Sequence, residues 1–221
     1  MVDRLIEKTG PAVQLESGAQ TKGERTREKI LDIAYESIVQ KGFAATSIEE
    51  LVEAAGITKS GFFYHFRDKN DLARQLLDRF LAEDVAIIDT LEQRAHELSD
   101  DPLQSFLIFL NLYAQMMDDM ETLHPGCLVA SVTYQERLFD PEVKRMNREY
   151  LMRMRRRFRG SFDKIVADHP PRIDVDLDAL ADHLTAIVEG GIILSKALND
   201  PGLMGKQTRL FRNHIKLIFG A

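Results

Sequence analysis

The chain has 221 residues, of which 44% are hydrophobic and 29% charged, so it can bury a substantial core as an ordinary globular protein. Its formal net charge of −6 excludes a protein that coats nucleic acid through overall charge, and any contact with DNA must come from a local basic patch. The single cysteine, Cys127, excludes an intrachain disulfide and a cysteine-based zinc site, and the sequence contains neither a signal-peptide core nor a membrane-spanning stretch, which predicts a cytoplasmic protein.

The N-terminal region predicts an arm followed by one helix. Residues 1–21 mix glycine, proline and polar residues without a sustained period, which is typical of a flexible arm. From about Arg25, apolar residues recur at helical spacing as far as Ile38, and Gly42 predicts the end of this helix.

The stretch from Ser47 to Phe66 predicts two short helices joined by a tight turn. The first helix has an apolar stripe formed by Ile48, Leu51, Val52 and Ala55. Either Thr46 or Ser47 can cap this helix, with a glutamate three residues later as the returning half of a capping box. Gly56 can adopt the left-handed conformation that ends it, and Thr58 can cap the second helix. This is a helix-turn-helix pattern, whose second helix enters the major groove of DNA.

The rest of the chain predicts further helices and no strand. A long helix is expected from Lys69, after the cap Asp68, to Leu98. The next helix, over 103–120, is apolar on nearly every face and is therefore expected to be central and buried. The remaining helices are predicted at 127–139, 141–168, 177–198 and 204–219. The protein is thus predicted to be all-α, with about nine helices, and to comprise the arm, a helix-turn-helix domain at 22–67 and a larger domain at 68–221.

The residues of the helix-turn-helix resemble those of a known family. The matching positions are Gly42-Phe43, Thr46, Ala54-Ala55-Gly56-Ile57-Thr58-Lys59, Tyr64-His65-Phe66, Lys69 and Leu72. Over about residues 25–80 the chain resembles the N-terminal domain of the TetR family of bacterial transcription regulators. The resemblance implies a homodimer with one helix-turn-helix on each arm, and a larger C-terminal domain in which a small ligand changes the spacing of the arms. It therefore implies a ligand-responsive repressor that is not an enzyme and needs no cofactor, with operator DNA, a second copy and an effector of unknown identity as partners and no membrane contact.

The resemblance also assigns DNA contacts by position. The implied DNA-binding residues are Arg25, Arg27, Thr46, Thr58, Lys59, Ser60, Gly61, Tyr64, His65 and Lys69. The sequence departs from the family at Phe63, where a tyrosine is common, so the phosphate hydrogen bond of that hydroxyl is lost or passes to Tyr64. A second departure is Asp68, which places a negative charge beside the expected phosphate contact of Lys69.

Charge supports DNA binding only locally. From Lys22 to Arg74 there are nine basic and nine acidic residues, so the predicted domain is neutral overall. The acidic residues include Glu49, Glu50 and Glu53 on the first motif helix, whereas basic residues lie before it and around the second. With two copies in a dimer, roughly a dozen phosphate contacts would make binding strongly salt-dependent.

Two further sites are expected in the C-terminal part of the chain. A pocket that is apolar with a few polar anchors would be lined by Phe106, Phe109, Tyr113, Met116, Met117, Cys127, Ser131, Tyr134, Met146 and Tyr150. The last two helices have wide apolar faces that predict a four-helix dimer interface, with Leu180, Leu184, Ile187, Gly190, Gly191, Leu210 and Ile215 as its residues. A two-fold dimer would also present two helix-turn-helix motifs to successive major grooves.

Several features have a plainer interpretation beside the functional one. Any single residue of the expected pocket fits an ordinary core, and Cys127 is favoured as a small buried hydrophobe over a redox sensor. A metal site formed by Asp118, Asp119, Glu121 and His124 is disfavoured against a solvated surface, and no metal is predicted. The arginines at positions 153–159 are favoured as the wet face of a helix over a DNA contact. Two rival classes remain, a helical-bundle enzyme, for which no catalytic motif is found, and an interaction module that does not bind DNA.

Overall fold

The computed structural model describes residues 21–120 and 122–221, and the chain forms nine α-helices and one short 3-10 helix within them. The helices are α1 (Lys22–Lys41), α2 (Ile48–Ala55), α3 (Lys59–His65), α4 (Lys69–Leu98), α5 (Pro102–Asp118), α6 (Leu128–Tyr134), α7 (Pro141–Asp168), α8 (Leu177–Leu198) and α9 (Leu203–Phe219). The 3-10 turn follows α6 at Glu136–Leu138. The prediction of an all-α fold is thereby confirmed. None of the helices in the described ranges is both long enough and apolar enough to cross a bilayer.

The first helix begins earlier than predicted because a capping box precedes it. The Thr21 hydroxyl accepts a hydrogen bond from the backbone N–H of Glu24 at 3.2 Å, and the Thr21 N–H donates to the Glu24 carboxylate at 2.7 Å. Gly42, with φ of 86°, ends the helix as expected. The predicted flexible arm, residues 1–21, lies outside the described residues apart from Thr21.

The predicted helix-turn-helix belongs to a compact unit that we call the motif unit, which comprises residues 21–83 and 125–149 of the described chain. Its core contains side chains from both segments, among them Leu31, Leu51, Phe62, Phe66, Leu72, Leu76, Leu128, Val132, Phe139 and Val143. The rings of Phe43 and Phe139 illustrate this packing, with centroids 4.3 Å apart. The packing unit is larger than the predicted segment 22–67, because residues far apart in the chain complete one core.

The second compact unit, which we call the large unit, comprises residues 84–120, 122–124 and 150–221. Its central helix is α5, whose buried side chains include Leu103, Leu107, Leu110 and Ala114, as the apolar sequence predicted. α9 packs against both α5 and α8. The contact between α9 and α5 is close, because a Cβ atom on Gly205 would lie 3.1 Å from the Ala114 carbonyl oxygen.

Candidate nucleic-acid interface

The two motif helices are fixed by local hydrogen bonds. Ser47 caps α2, since its hydroxyl accepts from the Glu50 N–H at 3.2 Å. Gly56 ends α2 in the left-handed conformation, with φ 67° and ψ 36°, where a residue with a side chain would be strained. Thr58 caps α3 by accepting from the Gly61 N–H at 3.1 Å. The predicted helix–turn–helix is present at the expected residues.

α3 has one face in the core and one in solvent. Phe62 and Phe66 are wholly buried, with ring centroids 5.3 Å apart, and they anchor the helix to the motif unit. On the outer side, Lys59 and Ser60 are exposed and Tyr64 is 83% exposed. An outer face with an ammonium, hydroxyl groups and an aromatic ring is chemically able to contact base edges and phosphates.

The basic side chains around α3 are not free in the unbound protein. The Lys59 ammonium donates to the Glu49 carboxylate of α2 at 2.6 Å, and Lys41 of α1 is bound to Glu50. Burial, followed by the positive charge of Arg27, lowers the pKa of His65, so its imidazole is neutral at neutral pH. The motif therefore presents a surface on which positive charge is locally compensated.

Two residues predicted to contact phosphates have partners within the protein. Thr46 is buried, and Lys69 is half-buried and bound to Phe43. Thr46 is 0% exposed, and its hydroxyl lies 2.8 Å from the Ser37 hydroxyl and donates to the Gly42 carbonyl oxygen at 3.1 Å. The side chain of Thr46 therefore ties the segment before α2 to α1 and is buried in the free protein. The Lys69 ammonium donates to the Phe43 carbonyl oxygen and lies 4.2 Å from the centroid of the Phe43 ring, and burial lowers its pKa.

The remaining predicted contacts lie at the surface of α1 and α3. Arg25 is exposed near the start of α1. Arg27 is half-buried, and its Nε donates to the Gln75 side chain of α4 at 2.9 Å. Thr58 and Ser60 are exposed, and Gly61 is half-buried.

The turn between α3 and α4 is held by a carboxylate that is not among the predicted site residues. Asp71 is 7% exposed and accepts a hydrogen bond from the Arg67 backbone N–H at 2.9 Å, while Arg74 is bound to its other oxygen. Arg74 also donates to Glu142 of α7 at 2.9 Å. Asp71 occupies the third position of α4 after the cap Asp68, whose carboxylate accepts from the Asp71 N–H at 2.8 Å. An acid three residues after a capping aspartate is a recognisable capping signal.

The predicted ligand-binding residues are divided between the two units. Six belong to the large unit: Phe106, Phe109, Tyr113, Met116, Met117 and Tyr150. Phe106 and Phe109 are buried with ring centroids 5.8 Å apart, and they line a small open cleft beside His96 and Ser105, whose side chains are 3.0 Å apart. Four belong to the motif unit: Cys127, Ser131, Tyr134 and Met146. Tyr134 is 77% exposed, so it does not line an enclosed pocket.

Tyr150 has a specific partner in the large unit. Its hydroxyl donates to the carboxylate of Asp84. Burial raises the pKa of Asp84, against the lowering effects of this hydrogen bond and of the Arg157 charge. The pair gives the large unit a shielded polar contact that sequence spacing did not indicate.

Several side chains of the disfavoured metal site and of the arginine-rich segment have partners within the protein. Among the residues that the structure describes, no group of three or more His, Cys, Asp or Glu side chains is placed to hold a metal ion. Asp118 is bound to Arg209 at 2.6 Å, and Glu121 lies outside the described residues. Arg155 and Arg157 are each engaged by acidic side chains, at 2.5 Å from Asp182 and Glu92 respectively.

The predicted dimerisation residues lie on two different faces of α8 and α9. Leu180, Leu184, Gly191 and Ile215 are buried inside the protomer. Ile187 and Gly190 are half-buried, and Leu210 is exposed. Four further apolar side chains of these helices are exposed, Ile193, Leu194, Leu198 and Leu217. The solvent-facing apolar stripe is therefore shifted from the predicted set.

Comparisons with known proteins agree with this geometry. A sequence model of the family described as "Bacterial regulatory proteins, tetR family" matches residues 30–76. The transcriptional regulator AcuR from Cereibacter sphaeroides is 25% identical over 190 residues, covering 85% of this chain and 84% of AcuR. The regulator AcrR from Shigella flexneri is 38% identical over 55 residues, covering 25% of this chain and 26% of AcrR.

The fold is also similar to that of solved structures. A TetR-family regulator from Agrobacterium tumefaciens superposes with a TM-score of 0.74 at 21% identity, covering 87% of this chain and 98% of the other. This likeness supports the fold, while the matched segment 30–76 contains α2, α3 and the turn between them. Residues 30–76 therefore match the helix-turn-helix segment of the tetR family, and the chain is similar in sequence to a transcriptional regulator and in fold to TetR-family structures.

Proposed function

We propose that this protein is a homodimeric, ligand-responsive repressor that acts in the cytoplasm and binds its operator through the outer face of α3. The observation that carries the proposal is the two-faced α3, which is anchored by the buried Phe62 and Phe66 and exposes Lys59, Ser60 and Tyr64. A short capped helix held this way can enter a major groove without loss of its own packing.

The DNA contacts are assigned by exposure and chemistry. Lys59 and Tyr64 are proposed to contact bases and nearby phosphates, since both project into solvent from α3. The proposed contacts beside them are Arg25, Arg27, Thr58, Ser60, Gly61, His65 and Lys69. Arg27 and Lys69 each have a donor already engaged within the protein, which restrains the side chain, so their contribution to phosphate binding is expected to be smaller.

The test begins with duplexes selected from a random pool by the wild-type protein. The double variant Lys59→Ala/Tyr64→Ala is expected to lose most of its preference for the selected duplex over a shuffled one, measured by gel shift at several salt concentrations. The matched control is Lys144→Ala/Tyr134→Ala, which removes the same residue types from exposed positions outside α2 and α3. If the Lys59→Ala/Tyr64→Ala variant binds with the same affinity and selectivity as the wild type, α3 is not the helix that recognises the DNA sequence.

The dimer is proposed to form through the exposed apolar side chains of α8 and α9. Ile193 and Leu194 on α8, and Leu210 and the 75%-exposed Leu217 on α9, are exposed apolar side chains of the kind that homodimers bury. Leu217→Glu is expected to give monomers at micromolar concentration by light scattering, whereas Leu138→Glu, at an exposed leucine of the motif unit, is expected to remain dimeric. A monomeric wild-type protein would refute the dimer.

The effector site is proposed to lie in the large unit, at the cleft lined by Phe106 and Phe109. Aromatic walls beside the hydrogen-bonded His96 and Ser105 suit a small ligand with an apolar body and a polar group. A ligand that binds better to a form with lower operator affinity would shift the population toward it and release the DNA. In a compound screen read by operator release, Phe109→Ala is expected to abolish the response while operator affinity without compound is retained. If the same compounds at the same concentrations release the Phe109→Ala variant from the operator, the effector binds elsewhere.

A further inference from the structure

The side chain of Lys59 is held by the neighbouring helix at the point where α3 begins. Its Nζ donates to Oε1 of Glu49 at 2.6 Å, and the two side chains are 60% and 68% exposed. An ion pair so exposed adds little to folding stability. Its location beside the DNA-binding face of α3 means that it acts mainly on the charge that this face offers to DNA.

We infer that Glu49 is a specificity-determining residue that orients the Lys59 ammonium and reduces its attraction to phosphates of any sequence. This inference rests on the proposed DNA-binding function of α3. A lysine ammonium has three donors, of which Glu49 takes one and leaves two for a base edge. The carboxylate also offsets the positive charge, so the pair releases fewer counterions from DNA than a free lysine would.

Glu49 differs from the other two acidic side chains of α2. Glu50 is bound to Lys41 of α1, and Glu53 makes no ion pair with any residue in the described ranges. The hydrogen bond from Lys59 is the main cause that lowers the pKa of Glu49, which is therefore ionised at neutral pH and keeps the lysine engaged. Of the three glutamates, Glu49 is thus the one that contacts a residue of α3.

The expected effect on specificity follows from the difference between two kinds of complex. A nonspecific complex gains its affinity from phosphate contacts, whereas a specific complex also gains from hydrogen bonds to base edges. Compensating the Lys59 charge therefore weakens nonspecific binding more than specific binding. Removing the carboxylate frees one ammonium in each protomer, and each new phosphate contact would add about 0.9 to the slope of log affinity against log salt.

The experiment compares Glu49→Gln with Glu53→Gln, which removes the same charge from the same helix without touching Lys59. The probes are the selected duplex and a shuffled duplex, with affinities measured by fluorescence anisotropy over a series of salt concentrations. Glu49→Gln is expected to steepen the salt slope on the shuffled duplex by about one to two units and to raise its affinity at least about 5-fold near 0.1 M salt. Affinity for the selected duplex is expected to rise less, so the specificity ratio falls. Glu53→Gln is expected to change this ratio less than about 2-fold, because it frees no cation for a new phosphate contact.

A second arm tests whether the effect passes through Lys59. In the Lys59→Ala background, Glu49→Gln is expected to leave the salt slope unchanged, because no ammonium remains to be freed. Equal effects of Glu49→Gln and Glu53→Gln, or an effect that persists without Lys59, would overturn the inference. A wild-type protein with no salt-sensitive DNA binding would instead refute the proposed function, so the two failures are distinguishable. A purely structural role of the pair would change the unfolding midpoint and leave the slope as it is.

Discussion

Asp71 is expected to be the residue on which the geometry of the α3–α4 turn depends most. Its carboxylate is 7% exposed, accepts from the Arg67 N–H at 2.9 Å and is bound to Arg74. Burial alone would raise the pKa of Asp71, but hydrogen bonds from Arg67 and from the side chains of Gln75 and Arg74 outweigh it and leave the pKa below its ordinary value. Replacement by alanine leaves a backbone N–H and a guanidinium without this acceptor, directly after α3.

The magnitude follows from the groups that lose their partner. A partly buried donor that loses a charged acceptor costs up to about 1–3 kcal/mol, and the loss of an acid from the first turn of α4 adds about 0.3–1 kcal/mol. Arg74 keeps its ion pair with Glu142, which limits the loss of stability from the guanidinium. We expect Asp71→Ala to lower the free energy of unfolding by about 2–4 kcal/mol at pH 7. Asp71→Asn keeps one acceptor oxygen and is expected to cost about half as much.

The assay is urea unfolding followed by far-ultraviolet circular dichroism, with all variants at one protein concentration because the stability of the proposed dimer would depend on it. The control is Asp78→Ala, an exposed aspartate on the same helix, which is expected to change stability by less than about 0.5 kcal/mol. Since the folded-state pKa of Asp71 is lowered, its stabilisation is present above the unfolded pKa and is lost as the pH falls through the folded pKa. The difference between wild type and Asp71→Asn should therefore shrink below about pH 4. Equal stabilities of Asp71→Ala and Asp78→Ala would refute the reasoning.

Three further predictions concern backbone space, DNA affinity and the half-buried Asp84. Gly160→Ala in α7 is expected to raise the unfolding free energy by about 0.5–1 kcal/mol, because the added Cβ meets nothing within 4 Å. Gly205→Ala is expected to lower the unfolding free energy, because the added Cβ would crowd a carbonyl oxygen of α5 at 3.1 Å. Calorimetry measures the sign of each change. Phe63→Tyr is expected to tighten binding to the selected duplex by about 2- to 5-fold through one added phosphate hydrogen bond, and unchanged affinity in a gel shift would assign that contact to another residue. Asp84→Asn is expected to stabilise the protein at pH 7 and to do so less at pH 4, since the raised pKa of Asp84 means that its ionised form is disfavoured by folding; urea midpoints that move the opposite way with pH would contradict this.

Most of the fold follows from local signals in the sequence. The bounds Lys69–Leu98 and Leu177–Leu198 were predicted as observed, because caps and helix-stopping turns flank both helices. The observed start of α1 differs from the predicted one because the capping box pairs Glu24 with Thr21, the last residue of the stretch 1–21 whose composition indicates an arm. Local chemistry therefore sets the helices, while their assembly into the motif unit depends on contacts between distant residues.

The candidate DNA-binding face was predictable as far as α3, but the state of each side chain was not. Exposure of Tyr64 and burial of Phe62 follow from helical spacing, whereas the burial of Thr46 depends on Ser37 of another helix. Lys69 likewise meets Phe43 from a segment 26 residues earlier, a contact that no local spacing indicates. A match to a family position predicts a contact in the DNA complex. The structure of the free protein shows which intramolecular hydrogen bonds the side chain would lose in making that contact.

The apolar faces of α8 and α9 show why periodicity cannot separate a protomer's core from an interface between protomers. Leu184 and Ile193 belong to one apolar helix, yet the first is buried against its own protomer and the second is exposed. Both positions fit the apolar periodicity of the helix, because a helix that packs on two sides is apolar on two sides. What distinguishes them is the position of α9, whose close approach to α8 brings the Met204 backbone to 3.3 Å from where a Gly191 Cβ would lie and so fixes which face turns inward. The exposed apolar residues are those proposed to contact a second copy. Mutating them tests the dimer more directly than mutating the buried residues of the same helices, which would also disturb the fold of the protomer.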